Sequence, residues 1–380
     1  MARSGAVGIG VIGAGMISDQ YLSFLARCAD VRLVAIGDVN AERAAAQADR
    51  YNIPVSGAPE RVLDNNQVEI VLNLTIPEVH VEVSTNALQA GKHVWSEKPI
   101  GIDRASSKRL VDLAQEKDLL LGVAPDTVLG PTWQTAKRAI QDGVIGTPLT
   151  AVTAFQGPGP EVFHPNPGFL YARGAGPLFD IGPYYLTALV QLLGPIAEVL
   201  AAGHRSQDHR EVLVGPNAGE PFPVDVLTHI AVVSNFTGGQ TASSLMSADI
   251  PRHKHGVFEV HGTEGTLVLG NPNYHGEIPI LRYGKSAEVE GIELIQQSTT
   301  IPEVGPLTTR GVGALTMART VRNGGELHVA TGELGYHVLD VMVSIEESVA
   351  TRGYVSVEST LDPIPALPAD FDPFEATLVP

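Results

Sequence analysis

The chain has 380 residues, 44% of them hydrophobic and 18% charged, with a formal net charge of −17. That length exceeds one ordinary core and points to two domains. The acidic balance argues against nucleic acid and anionic membranes, whose binders cluster Lys and Arg; no apolar run reaches transmembrane length, and a single cysteine, Cys28, excludes an intrachain disulfide and fits a cytoplasmic protein.

A continuous apolar run from Val7 leads into Gly13-Ala14-Gly15, and a helix-like pattern follows at Ile17, Tyr21, Leu22, Phe24 and Leu25. A strand beginning this early leaves no room for a signal peptide. The next apolar run, Val31 to Ile36, ends at Asp38, twenty residues beyond Ser18. Strand, glycine turn, helix, strand and acid is the layout of a dinucleotide-binding unit. Gly13 permits the tight turn, and Gly15 lets the backbone approach a pyrophosphate on the helix N-terminus, beside Met16 and Ile17. Ser18 replaces the third glycine of the fingerprint with another small residue. Asp38 can accept from adenosine ribose hydroxyls and would repel a 2′-phosphate, so NAD is expected over NADP.

Strand and helix patterns then alternate to about residue 123: a strand at 68–74, a helix at 79–90, a short strand at 93–96, a helix at 103–117 and a strand at 119–123. Such alternation implies a doubly wound parallel sheet. Residues 132–142 read as a helix that carries the chain away. From Leu149 the texture changes to longer alternating strands at 149–155, 196–203, 224–236, 240–248, 257–260 and 266–269, with Gly262-Thr263-Glu264-Gly265 as a hairpin turn. Helices at 183–193 and 334–350 should cover one face. The fold class is therefore α/β: an N-terminal Rossmann domain, 1–126, and a C-terminal α+β domain, 127–360, on a large, mainly antiparallel open sheet. Residues 361–380 are rich in proline and acid and lack Lys and Arg, and should be extended or poorly ordered. The row Val226, Thr228, Ile230, Val232 needs cover if it faces outward, so a homo-oligomer is expected.

After the fourth strand comes Thr75-Ile76-Pro77-Glu78-Val79-His80, and after the fifth Glu97-Lys98-Pro99. In a doubly wound fold both loops lie at the carboxyl ends of the strands, where ligands bind. A third motif, Gly176 to Tyr185, opens the first helix of the second domain. With these motifs and the Gly-Thr-Glu-Gly-Thr hairpin, nearly the whole chain resembles the glucose–fructose oxidoreductase, inositol dehydrogenase and rhizopine-catabolism (Gfo/Idh/MocA) family. The resemblance implies an NAD- or NADP-dependent sugar or polyol dehydrogenase or reductase that pairs through its C-terminal sheet as a homodimer or homotetramer. It implies that Lys98 is the active-site lysine and that Thr75, Pro77, His80 and Glu97 lie along the cofactor. Where many members carry histidine after Asp-x-Gly-x, this chain has Tyr184, and another branch uses tyrosine there as acid/base. Where many have Asn-Arg near the sixth strand, this chain reads Ala124-Pro125-Asp126.

Oxidising a carbinol sends hydride to nicotinamide C4 and needs a base for the hydroxyl proton. Tyrosine, with an ordinary pKa near ~10, is a poor base at neutral pH unless an ammonium favours its phenolate. Lys98 could supply that charge, and Asp180, four residues before Tyr184, could orient Lys98. Asp180 could equally cap the helix that Pro183 begins, and Tyr184 could be a core aromatic. The Gly/Pro-rich loop 157–177 offers His164, Asn166, Tyr171 and Arg173 to a substrate. His164 is either a substrate contact and rival base or a surface histidine. One arginine is thin provision for a phosphate, so an unphosphorylated sugar, glycoside or cyclic polyol is expected. His253 and His255 flank Lys254 without a further ligand at metal spacing, so no metal is expected. Two other functions stay open: a glycosidase that retains NAD and acts by transient oxidation, and a non-catalytic NAD-binding regulator.

Overall fold

The computed structural model describes residues 4–251, 254–277, 280–284, 288–289, 292–293, 298–325 and 328–378. They fall into two units: Met1–Pro131 with Gly305–Leu339 and Ile364–Pro380, and Thr132–Val304 with Asp340–Pro363. Among the described residues no helix is long and apolar enough to cross a membrane. His253 lies outside the described residues.

The first unit is built on strands β1 (Val7–Ile12), β2 (Val31–Gly37), β3 (Ser56–Gly57), β4 (Ile70–Asn73), β5 (His93–Ser96) and β6 (Leu121–Val123). They form one parallel sheet in the order β3-β2-β1-β4-β5-β6. Every residue of β1 and β4 is buried, as a sheet covered on both faces demands. The covering helices are α1 (Met16–Leu25), α2 (Ala41–Tyr51), α3 (Glu60–Leu63), α4 (His80–Gln89) and α5 (Arg104–Glu116). Their starts are written in the sequence: Asn40 accepts from Arg43 N at 3.1 Å to cap α2, and Asp103 accepts from Ser106 N at 2.8 Å to cap α5. The strand order reverses beside β1 and β4, which places the switch point of the sheet at the glycine turn.

The chain returns to this unit after the second one, so the boundaries expected at 126 and 360 need correction. Helix α8 (Val312–Asn323) packs on β4 and β6. The tail is also part of the first unit. Buried Asp30 and Arg319 pair at 2.7 Å, and the tail supplies their remaining partners. Thr377 N and Leu378 N donate to Asp30 Oδ1, each at 2.9 Å, while Arg319 Nη2 donates to the carbonyls of Asp372 and Glu375, each at 2.9 Å. A buried ion pair is costly unless its other hydrogen-bonding positions are filled. Composition alone predicts a loose segment; the ion pair explains a docked one.

In the second unit, α6 (Pro131–Gln141) leads into β7 (Pro148–Gln156), then α7 (Gly182–Leu193), β8 (Ile196–His204), β9 (His209–Glu211), β10 (Pro221–Pro223), β11 (His229–Phe236), β12 (Thr241–Ser247), β13 (Lys254–Gly262), β14 (Gly265–Leu269), β15 (Ile280–Gly284), β16 (Glu288–Val289), β17 (Ile292–Glu293) and β18 (Ser298–Ile301). Helix α9 (Gly332–Thr351) and β19 (Val355–Ser356) close the chain's second visit. Nine strands form one sheet, ordered β18-β15-β14-β13-β7-β12-β11-β8-β19 and antiparallel except for the parallel β7–β12 pair. Its inner face packs on helices: the Trp133 and Phe258 rings meet edge-on at 5.1 Å. The row Val226, Thr228, Ile230, Val232 belongs to this inner side and is buried within the chain, so it is not the outward row in need of cover. Alternation sets the outer face one residue out of step, at His229, Ala231, Val233 and Asn235.

Candidate active site

The glycine turn ends β1 and starts α1. Gly13 has φ +104° and its hypothetical Cβ would lie 2.5 Å from the Leu74 carbonyl oxygen, so both conformation and space require glycine. Gly15 is the N-cap of α1, has no side-chain cap, and a Cβ there would meet nothing within 4 Å. An uncapped helix start with open space before it suits an anion. Met16 is 84% exposed on that first turn and Ile17 is half-buried. Ser18 is fully buried and donates to Gly15 O at 2.7 Å, which serves the close helix packing expected of the third fingerprint position.

Asp38 is held more tightly than a simple ribose acceptor needs. Its Oδ2 accepts from Ala14 N at 2.7 Å, tying β2 to the glycine turn, and its Oδ1 accepts from Asn40 N at 2.8 Å and Arg43 Nη2 at 2.9 Å. Burial would raise its pKa, but the two backbone donors and then Arg43 hold it below the ordinary carboxylate value. The fold sets the Arg43 guanidinium on this carboxylate.

The loops after β4 and β5 are stitched together. Asn73 donates to His80 O and Ser84 Oγ, each at 2.9 Å, and accepts from Thr75 Oγ1 at 2.6 Å. His80 is fully buried, with Nδ1 2.7 Å from Pro99 O and Nε2 3.1 Å from Thr75 O. Its side chain therefore positions the two loops. Burial holds the His80 pKa below its ordinary value, against the pull of the two carbonyls. Glu97 also turns inward: its Oε1 accepts from Tyr21 OH at 2.8 Å and its Oε2 from Lys98 N at 3.0 Å. Trp95 Nε1 donates to Tyr21 OH at 3.3 Å, so α1 and β5 share one buried polar chain. Lys98, half-buried and joined by a cis peptide to Pro99, sits between these two anchored residues.

Asp126, noted in the sequence only as a departure, is buried and accepts from Gly311 N at 2.8 Å and Gly313 N at 3.1 Å. It serves as a distant cap for α8, whose Gly311 start has no side-chain cap of its own. Burial raises the Asp126 pKa to about 6, against the pull of those two N–H groups.

In the second unit, residues Pro177–Ile181 form a π-helical turn that runs into α7. Such wide turns concentrate at functional sites. Here the turn sets half-buried Asp180 about one turn before Tyr184, whose ring is 5% exposed. Tyr171 is fully buried; its hydroxyl donates to Glu161 Oε2 at 2.6 Å and accepts from Arg210 Nη1 at 2.9 Å. That hydroxyl is committed to the protein, so a direct polar contact from Tyr171 to a substrate does not follow. Arg210 also bonds Glu161 Oε1 at 2.6 Å and pairs with Asp249, giving a buried cluster whose members lie far apart in sequence. His164 Nδ1 accepts from Asn166 N at 3.0 Å and its ring meets Phe169 edge-on at 5.3 Å. Arg173 is exposed, and its charge offsets part of the burial that raises the Glu346 pKa. Tyr171 and Asp180 line one cavity; His164 and Arg173 stand outside that lining. Among the described residues no group of three or more His, Cys, Asp or Glu could hold a metal.

Comparison with known proteins agrees with this architecture. A Gfo/Idh/MocA family model, described as an oxidoreductase family with an NAD-binding Rossmann fold, matches residues 7–124, and the family's C-terminal domain model matches residues 133–268. Levoglucosan dehydrogenase of Pseudarthrobacter phenanthrenivorans is 25% identical over 92% of this chain and 97% of its own. The 1,5-anhydro-D-fructose reductase of Ensifer adhaerens is 29% identical over 69% of this chain and 75% of its own. A solved levoglucosan dehydrogenase, in complex with NADH and L-sorbose, shares the fold at a TM-score of 0.78, 22% identity, 93% of this chain and 100% of that one. The chain is a member of the Gfo/Idh/MocA oxidoreductase family, and its first unit is that family's NAD-binding Rossmann domain.

Proposed function

We propose that the protein interconverts a secondary carbinol and its ketone on an unphosphorylated sugar, glycoside or cyclic polyol, with NAD as the redox partner. The observation that carries this reading is the start of α1. Gly15 is uncapped with open space before it, and the Asp38 carboxylate is bonded to the turn through Ala14 N at 2.7 Å. The start of α1 would hold the pyrophosphate of a dinucleotide, and Asp38 would hold its adenosine ribose. When bound, NAD supplies the hydride acceptor at nicotinamide C4.

The chain's own groups handle the proton and the charge. In oxidation the carbinol C–H bond breaks with its electron pair leaving as hydride, and Tyr184 takes the hydroxyl proton as the C=O bond forms. Lys98 is assigned the charge that holds the reacting oxygen as its proton leaves. Asp180 orients that hydrogen-bonding set. In reduction the same groups return the proton to the developing alkoxide. Among the relatives, levoglucosan dehydrogenase, 1,5-anhydro-D-fructose reductase and the myo-inositol 2-dehydrogenase of Thermotoga maritima are named for cyclic sugars or polyols without a phosphate. Absorbance screening of sugars, polyols and keto-sugars with NAD and NADH tests the reading. Turnover confined to phosphorylated substrates, or none, would overturn it.

The reading includes a homo-oligomer. The outer sheet face offers Val152, Leu200, Ala231, Val233 and Leu245 around an open depression of about 910 Å³, with Val152 40% and Val233 38% exposed. A second copy laid on this face would cover that apolar surface. Light scattering at micromolar concentration should give a dimer or tetramer mass; a monomer mass refutes the assembly.

A further inference from the structure

A second cavity, of about 210 Å³, has Asp180 in its wall. The rest of the wall is apolar in character: Phe155, Phe163, Leu170, Tyr171, Ile181 and Ala248 contribute, together with prolines that have no N–H to donate. Asp180 is the one charged lining residue. The Tyr171 hydroxyl is taken by Glu161 at 2.6 Å and Arg210 at 2.9 Å. Phe163 is 70% exposed and carries the apolar surface outward.

The cavity is braced from outside. Arg210 Nη1 bonds the carbonyls of Pro158 at 3.2 Å and Ala248 at 3.1 Å, holding two separate stretches of its wall. Gly159, at φ +103°, lies so close that a Cβ would come within 2.3 Å of the Tyr171 hydroxyl. Arg210 is itself paired with Glu161 and Asp249, so its charge is spent and the cavity offers no cation to a phosphate or carboxylate. Small-molecule sites are mostly apolar, largely pre-formed, and carry a few placed polar groups. This cavity has that make-up, with its one carboxylate at the residue assigned to the reaction.

We propose that the cavity is a subsite for an apolar, ring-sized substituent, so that the preferred substrate is a glycoside with an aryl aglycone in place of a free sugar. The inference rests on the functional reading above, through Asp180. An apolar group of that size buried there should improve kcat/KM at least tenfold, on the order expected for its buried area.

The test compares methyl and phenyl glycosides of each sugar that the enzyme turns over. The phenyl form should be preferred by about tenfold or more. Ala248→Leu, which enlarges a wall residue, should bring the phenyl-to-methyl ratio toward one. Turnover with equal rates, or a methyl preference, overturns the subsite and leaves the dehydrogenase reading standing. If no sugar is turned over, that reading fails, and ligand-observed NMR with benzyl alcohol decides the subsite by itself. Binding that is lost in Ala248→Leu supports it, and no binding to the wild-type protein rejects it. Should Ala248→Leu fail to fold, displacement of benzyl alcohol from the wild-type protein by a phenyl but not a methyl glycoside supports the subsite; the reverse, or neither, rejects it.

Discussion

In the first unit the loops after β4 and β5 are joined through a single ring, His80, whose two nitrogens lie 3.1 Å from the Thr75 carbonyl and 2.7 Å from the Pro99 carbonyl. In the second unit the loop of residues 157–177 is held by a guanidinium, Arg210, set between Glu161 and Asp249. The first arrangement consumes backbone carbonyls and leaves the uncapped N–H end of α1 for a polar, anionic ligand. The second consumes three charges within the protein and leaves an apolar wall. One unit is thus built to present backbone dipoles and the other to present carbon surface. That division fits the proposed reaction, in which a charged dinucleotide meets an uncharged sugar derivative.

The largest effects should come from the residues given chemical roles. Lys98→Ala and Tyr184→Phe should each lower kcat by roughly 10²- to 10⁴-fold, the usual loss for a positioned acid/base or oxyanion donor. NADH affinity, followed by fluorescence titration, should change little, because Gly13, Gly15 and Asp38 keep their geometry. A Tyr184→Phe enzyme with near-normal kcat when chemistry limits turnover would remove tyrosine from the mechanism. His164, the other base considered, would then be tested by His164→Asn.

Next come the two buried arginines, one in each unit. Arg319→Met strands the Asp30 carboxylate and releases two tail carbonyls; Arg210→Met strands Glu161 and Asp249. Breaking a buried pair costs roughly 3–5 kcal/mol. The comparison sharpens in the secondary readouts. Arg319→Met should make residues 364–380 susceptible to proteolysis while leaving the phenyl-to-methyl preference in place. Arg210→Met should erase that preference. If both variants behave alike in both assays, the two clusters do not brace separate features.

Titration separates two buried groups within the first unit. Asp126 has a folded pKa of about 6 against an unfolded value near ~3.9, so its sign is that of a raised carboxylate. Its contribution is fully present below the unfolded value and is lost as pH rises through about 6. Asn at this position can still accept from the N–H groups of Gly311 and Gly313. Relative to Asp126→Asn, wild type should therefore lose about 3 kcal/mol of stability between pH 4 and pH 8, read from urea midpoints. His80 has the opposite sign: burial lowers its pKa, so its contribution is present above the unfolded value and is lost as pH falls below about 6.5. A difference between wild type and Asp126→Asn that does not change with pH would show that Asp126 does not titrate in this range.

How much of this was readable in the sequence depends on the range of the interaction. The glycine turn and Asp38 act within one βαβ unit, and local patterns expose them. The doubly wound sheet and the alternating second sheet follow from hydrophobic period. The outer and inner faces of β11 did not, because Val226 and Thr228 continue the right alternation but precede the strand. Arg210 finds Glu161 across 49 residues, and Arg319 finds Asp30 across 289, with no local signal at either end. The docked tail and the braced cavity were hidden for that reason. Asp126 was visible only as an unexpected residue; the two glycines it caps lie 185 and 187 positions later.

The smallest effect concerns the cofactor's 2′-position. Asp38 faces a 2′-phosphate with like charge, and its low pKa keeps it ionised at neutral pH. On that ground NAD should be preferred over NADP by roughly tenfold to a hundredfold, or about 1.4–2.7 kcal/mol. Arg43 tempers the preference, since its guanidinium already sits 2.9 Å from Asp38 and is 53% exposed. Its exposed side chain can swing toward a phosphate while Asp38 keeps its two backbone donors. Removing each partner therefore moves specificity in opposite directions. Arg43→Ala should widen the preference for NAD by a few-fold, while Asp38→Ser should narrow it, with NAD binding itself weakened by the lost carboxylate and the lost bond to Ala14 N. Titrations of both cofactors against the wild type and the two variants check this. Tighter NADP binding in Arg43→Ala would mean that the arginine repels the phosphate indirectly, by fixing Asp38 in place, and that the carboxylate alone does not set the choice.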